Sequence, residues 1–269
     1  MTGPLPRPRR RPEPPIGLPV GLPVGLGTAG ESQTVRVAQL WRYPVKSLGG
    51  ERLDEAEIGP LGLDGDRRWG IRDLGTGKIL TARRQPEMLF ARASVADGGL
   101  RIVLPDGRTA TDDRELSKWL GRPVQLVAAG DTGEGGTYEA PLDADSESDW
   151  VSWQGPPGAW HDSGNSRVSL LSTATIGSQD PRRFRPNILL DGSDEDRAVG
   201  STLAVGGCLL EVRKQISRCV MVTRPQPGLE RDLGVLRRIN RERDGKLAVG
   251  ATVVRPGSVS VGDPVNPLP

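Results

Sequence analysis

Two cysteines, one histidine and several arginines beside turn residues make up the reactive inventory of this 269-residue chain. Cys219 follows Arg218 directly in "KQISRCVMVTRP", residues 214–225. Nearby cations lower the pKa of a thiol, and the thiolate is the form that attacks electrophiles or binds metals. The same residues also suit the edge of a half-buried strand carrying a small hydrophobe, and local chemistry leaves these two readings balanced. Cys208 differs. In "LAVGGCLLEVRK" it shares a face with Leu210 and Val212 by period-two alternation, which is the pattern of a core residue.

Further segments pair cations with turn chemistry. "YPVKSLGG" puts Lys46 and Ser47 after a strand, with Gly49 and Gly50 offering backbone N–H groups. "DGDRRWG" presents Arg67 and Arg68, "LTARRQP" presents Arg83, and "RRFRPNILL" presents Arg185 and Asn187. Taken singly, each reads as a solvated surface cation. Brought together, they would form a phosphate or polyanion pocket, where arginine forks and hydroxyls match the ligand geometry.

Other chemistries are poorly supplied. His161, Cys208 and Cys219 fall short of the four Cys/His ligands of a structural zinc site, and no C-x-x-C is present for iron–sulfur ligation. "HDSG" gives His161 an adjacent Asp162, but no G-x-S-x-G elbow accompanies it, so a hydrolase triad is disfavoured. Alone, His161 reads as a satisfied loop histidine. The net charge of +2 sits in the first 34 residues, leaving equal numbers of basic and acidic groups in the remainder. A body without bulk positive field argues against nucleic acid as a partner. No apolar run approaches the roughly 20 residues of a membrane span, and two cysteines make no disulfide framework, so a cytoplasmic location is expected.

The elements that must hold these side chains are mostly strands. Residues 1–34 hold eight of the 24 prolines and read as a disordered tail. The G-x-G-x-x-G of Gly25, Gly27 and Gly30 lacks the strand–turn–helix context that a dinucleotide site needs. Short apolar runs at 35–43, 53–58, 68–72, 90–95 and 100–104, separated by "GPLGLDGD", "LGTGK" and "PDG", predict an antiparallel barrel or sandwich. "DDRELSKWLGRP" predicts a helix with Asp112 and Glu115 at capping-box spacing. The acidic, Gly-rich stretch 131–149 reads as a linker or mobile loop between units at 35–130 and 150–269. Beyond it, strands are expected at 168–171, 187–190, 203–212, 220–223 and 251–254. A helix is expected in "LERDLGVLRRINRERD", and a closing hairpin turning at Pro256-Gly257.

In order and spacing, "YPVKS" (43–47), "GLDGDRRW" (62–69), "LTARRQP" (80–86), "RFRPNILLDG" (183–192), "RCVMVT" (218–223) and "RPGSVSVGD" (255–263) together resemble the MOSC superfamily, named for the molybdenum-cofactor sulfurase C-terminal domain. The branch that they resemble most is that of the amidoxime-reducing component. The resemblance implies a mainly β fold, with an N-terminal MOSC β-barrel domain followed by a MOSC domain. It further implies that Cys219 ligates molybdenum beside the dithiolene sulfurs of molybdopterin, and a soft thiolate suits that metal. By the same carry-over, Lys46 and Ser47 contact the phosphate end of the cofactor, Arg67, Arg185 and Asn187 hold pterin and phosphate, and Ser217 and Arg218 assist beside the ligand. The implied activity is reduction of small N-hydroxylated compounds with electrons from an external ferredoxin or flavin reductase. Neither an iron–sulfur cluster nor haem is implied. The alternative is a molybdenum-cofactor or sulfur carrier that uses a Cys219 persulfide and is not itself a reductase. The pyridoxal-phosphate desulfurase domain of full sulfurases has no room here. Between Leu171 and Arg182 the chain is shorter than relatives that carry a longer helix.

Overall fold

The computed structural model describes residues 34–96, 99–130, 135–142 and 149–268. The tail expected over residues 1–34 therefore lies almost wholly outside the described residues, as do 131–134 and 143–148 of the expected linker.

Short alternating segments form strands throughout. The first half contributes β1 (Val37–Arg42), β2 (Glu51–Leu53), β3 (Glu55–Gly59), β4 (Gly62–Leu63), β5 (Trp69–Asp73), β6 (Arg92–Ala96), β7 (Gly99–Val103), β8 (Thr109–Ala110) and β9 (Val124–Ala128). The second contributes β10 (Thr137–Pro141), β11 (Trp150–Gln154), β12 (Val168–Ser172), β13 (Ile188–Leu190), β14 (Thr202–Val205), β15 (Cys208–Ser217), β16 (Lys246–Arg255), β17 (Gly257–Ser260) and β18 (Val265–Pro267). The largest sheet has eight strands in the order β18-β14-β15-β16-β12-β13-β1-β2. Its pairs are antiparallel except β12 with β13, which run parallel. Strands from both ends of the chain thus share one sheet. Its buried face carries Leu40, Leu170, Ile188, Leu210, Val212 and Val249, and Cys208 packs among them with its thiol donating to the Val205 carbonyl at 3.1 Å. A second core gathers Val45, Leu48, Ile71, Met88, Leu116 and Val124 from the first half.

The expected helices form where capping chemistry predicts. In α1 (Asp113–Leu120), the Asp112 side chain accepts from the Glu115 amide at 2.9 Å, and Gly121 ends the helix in the left-handed region. In α3 (Leu233–Arg243), Val235, Leu236 and Ile239 face inward while Leu233 stays exposed. Between them, α2 (Thr173–Ile176) is a single turn, in keeping with the short segment after Leu171. No helix among the described residues is long and apolar enough to cross a membrane.

Three expectations are corrected. Residues 220–223 form a 3-10 turn, not a strand: the Thr223 hydroxyl donates to the Val220 carbonyl at 2.8 Å, and Val222 packs with Val235, Leu236 and Ile239 of α3. Local bonding and tertiary contacts override the β-branched composition. The closing hairpin does not form either. After Pro256 the chain changes sheet, and β17 pairs with β3 so that Val259 is buried over the main core. Gly257 permits the corner, because a Cβ there would lie 2.5 Å from the Gly207 carbonyl oxygen. Finally, the stretch expected as a linker contains β10, which pairs with β11 as a two-stranded sheet seated on Ile79, Ala129 and Trp160 through Tyr138. Its low apolar content concealed the single tyrosine that anchors it.

Candidate functional site

One cavity of about 410 Å³ is lined by all eight side chains singled out from the sequence: Lys46, Ser47, Arg67, Arg185, Asn187, Ser217, Arg218 and Cys219. They come from turns after β1 and β4, the segment before β13, and the end of β15. Ser217 closes β15. Cys219 is held in extended backbone at the head of the 220–223 turn, partly exposed, while Cys208 is buried in the main core.

Backbone strain concentrates here. Ser47, Arg67 and Arg185 have φ of 69°, 49° and 54°, in the left-handed region that residues with a Cβ seldom occupy. Surrounding contacts hold them there. The Arg67 amide donates to the Tyr43 carbonyl at 2.8 Å, and the Arg185 amide donates to that of Pro181 at 3.0 Å. Both guanidinium groups sit against the buried Tyr43 ring, at 5.3 and 4.1 Å from its centre. Asp66 ties this corner together by accepting from the Tyr43 amide at 2.8 Å and pairing with Arg67. Arg185 also donates to the Leu48 carbonyl at 2.6 Å.

Around Cys219 the contacts are as dense. Arg218 donates to the carbonyls of Leu247 (2.7 Å) and Phe184 (2.9 Å), which leaves its Nη2 buried and without a partner. Asn187 is engaged at both ends: its oxygen accepts from the Ser169 amide and hydroxyl, and its nitrogen donates to the Trp41 carbonyl. It therefore fixes Ser169 in the cavity wall. Lys46 donates to the Trp160 carbonyl and to Asp162, both at 2.7 Å, and lies 3.9 Å above the Tyr138 ring.

Arg83, Asp162, Tyr43, Asp66, Tyr138 and Trp153 were not among the eight. Arg83 donates to Asp162 at 2.6 Å, lines the cavity together with Cys219, and stacks 5.0 Å from the Trp153 ring centre. The sequence signal for Arg83 was its place in "LTARRQP", and for Asp162 its place beside His161. The aromatic residues carried no signal, because what matters is where their faces point. His161 is buried in the cavity wall. Burial, together with Arg67, Arg167 and Lys46, holds it neutral, and its Nε2 has no partner.

The electrostatics favour an anion. Burial pulls Lys46 down to about 8 against the attraction of Asp162. It pulls Arg185 and Arg218 down to about 10, and Arg67 repels both. Burial would raise the Asp162 carboxyl, but Arg83 and Lys46 outweigh it and hold that carboxyl far below the usual range. Seven basic side chains thus line the cavity against one lining carboxylate, Asp162, with Asp66 behind Arg67, and the unpartnered Nη2 of Arg218 is a donor in want of an acceptor. A phosphate-bearing cofactor with a metal that accepts a thiolate fits this donor set.

Comparison with known proteins places these features in a family. The MOSC N-terminal beta barrel domain matches residues 34–141, and the MOSC domain matches residues 164–266. The chain is similar to the human mitochondrial amidoxime-reducing component 1, at 25% identity over 87% of this chain and 83% of that protein. It is also similar to the molybdenum cofactor sulfurase of Botryotinia fuckeliana, at 33% identity over 31% of this chain. It spans only 11% of that sulfurase. Among solved structures, the YUAD protein of Bacillus subtilis covers 87% of this chain at 12% identity and a TM-score of 0.44, too distant to argue from. With both domains matched in tandem over a mainly β fold, the chain belongs to the MOSC-domain proteins.

Proposed function

We propose that the cavity binds a molybdenum cofactor and that the protein reduces N–O bonds of small N-hydroxylated compounds. The observation that carries this reading is the convergence of one accessible thiol, Cys219, with seven basic side chains on a single cavity. When bound, the cofactor supplies two-electron redox chemistry and a site that accepts the oxygen. Cys219 is the metal-ligating group. Arg185, Arg67 and Arg218, preset by Tyr43 and by backbone carbonyls, meet the anionic end with little reorganisation. Ser47 and Ser169 add hydroxyls to the same wall. Asp162 fixes Lys46 and Arg83. Two electrons and two protons convert N–OH to N–H and water, and the electrons come from a ferredoxin- or flavin-type protein donor.

The test is to purify the protein from a molybdenum-replete host, measure metal and pterin per chain, and assay amidoxime reduction with a chemical reductant. Stoichiometric molybdopterin with turnover that disappears in Cys219→Ala supports the reading. A pure protein without pterin sinks it. A second reading, a sulfur carrier, draws on the contrast between accessible Cys219 and buried Cys208. Incubation with a cysteine desulfurase would then leave an adduct of about 32 Da, the mass of one sulfane sulfur, that is lost in Cys219→Ala.

A further inference from the structure

Between the two matched domains, Trp153, His161, Asp162 and Ser163 line one wall of the cavity. Its central feature is Trp153 on β11, directly opposite Tyr138 on β10. The rings meet at 5.5 Å with planes tilted by 57°, and Tyr138 is itself fully buried beneath the Lys46 ammonium. The indole is therefore braced from behind. Gly155 makes this possible, since a Cβ there would stand 2.3 Å from the Tyr138 ring. Period-two alternation puts Ala140 on the same face of the hairpin as Tyr138 and Trp153, and its methyl also lines the cavity. The Arg83 guanidinium lies 5.0 Å from the Trp153 ring centre and lines the same cavity as Cys219, and its buried Nε has no partner.

A braced indole beside a small side chain leaves a flat apolar shelf in the wall of the cavity that also holds the thiol. Conjugated rings stack on such a surface in an offset face, whereas a saturated ring of equal size keeps only part of that contact. We propose that Trp153 and Ala140 form a stacking slot that makes the site selective for planar, π-conjugated N-hydroxylated compounds. This inference rests on the reductase reading for turnover, though the slot itself is a binding property that is measured apart from it.

The experiment uses the full chain loaded with cofactor, and two amidoximes that share the reacting group: benzamidoxime and cyclohexanecarboxamidoxime. Equilibrium dialysis without reductant gives binding, and reductant-driven turnover gives kcat/KM. The preference for benzamidoxime should fall about tenfold in Trp153→Leu, the loss of one aromatic pair, and should survive in Trp153→Phe. Ala140→Leu, which fills the shelf without touching the indole, should reduce the preference as well and guards against misfolding of the tryptophan variants. Pterin content measured on each variant separates loss of the slot from loss of cofactor. Equal binding of the two compounds by the unmodified protein, or a preference unchanged in both Trp153→Leu and Ala140→Leu, overturns the slot. Selective binding that is lost in Trp153→Leu, without turnover of either compound, supports the slot while counting against the reductase reading.

Discussion

Arg83 Nη2 lies 2.6 Å from Asp162 Oδ2, joining residues 79 positions apart in the chain. The same carboxylate takes Lys46 on its other oxygen at 2.7 Å, so one acidic group orients two cations at the cavity wall.

Asp162→Asn should therefore misplace both. Lys46 and Arg83 are almost fully buried, whereas the Asp162 side chain is about half open to the cavity, which reduces the effect. A loss of about 1–2 kcal/mol in urea denaturation is expected, below that of a fully buried pair. Pterin content should fall alongside. Unchanged stability and pterin together would show that the clamp is idle.

The depressed Lys46 pKa sets a pH dependence for the cofactor-free protein. The unfolded chain holds that proton up to about 10.5, while the folded protein releases it near 8. Between these values the unfolded state binds more protons, so stability rises with pH. The usable window is pH 8 to 9, since from there the buried Cys208 thiol, which burial pushes up to about 11, acts in the opposite sense. Above it the buried Tyr43 and Tyr138 act in the opposite sense, since burial raises both phenols and the unfolded state loses its protons first. A gain of roughly 1 kcal/mol across the window is expected from one such group, and Lys46→Met should flatten it. Chemical denaturation at fixed ionic strength measures this.

The two thiols should differ in rate. Cys208 has no exposed surface, whereas Cys219 is partly exposed. A disulfide reagent should label one thiol per native chain quickly and the second only on unfolding. In Cys219→Ala the fast phase should vanish.

Tyr43 separates packing from polarity. Its hydroxyl is buried without a partner, while its ring supports Arg67 and Arg185. Tyr43→Phe should be neutral or stabilising by up to about 1 kcal/mol, because an unsatisfied polar group is removed. Tyr43→Leu should cost about 2 kcal/mol and reduce pterin retention, because the arginines lose the face on which they rest. Thermal unfolding of the two variants side by side decides this.

The strands and the cations were legible because their signals are local. Alternation in "VRVAQLWRYPV" marks β1, and the capping pair Asp112 and Glu115 marks α1. Lys46, Ser47, Arg67, Arg185 and Asn187 stand in short segments that set cations beside turn residues, whereas only the resemblance to the MOSC superfamily grouped them with Ser217, Arg218 and Cys219. What stayed hidden depends on partners distant in sequence. Nothing in "RPGSVSVGD" says that Val259 will turn to β3 instead of folding back on β16, and nothing in "CVMVT" foretells α3 packing against Val222. Tyr138 sits in a stretch whose glycine and acid content reads as linker and Trp153 just past its end, yet their rings, paired across β10 and β11, meet at a wall of the site.

The left-handed backbone at Ser47, Arg67 and Arg185 has a consequence for anyone breeding this protein for heat tolerance. Glycine at Ser47 would relax the chain without disturbing the sheets, so a screen for survival at high temperature alone would favour it. At Arg67 the same exchange would strand the buried Asp66 carboxylate, and at Arg185 it would remove the cation packed on the Tyr43 ring. The hardiest descendants would keep their arginines and lose the one hydroxyl that this strain holds in the cavity.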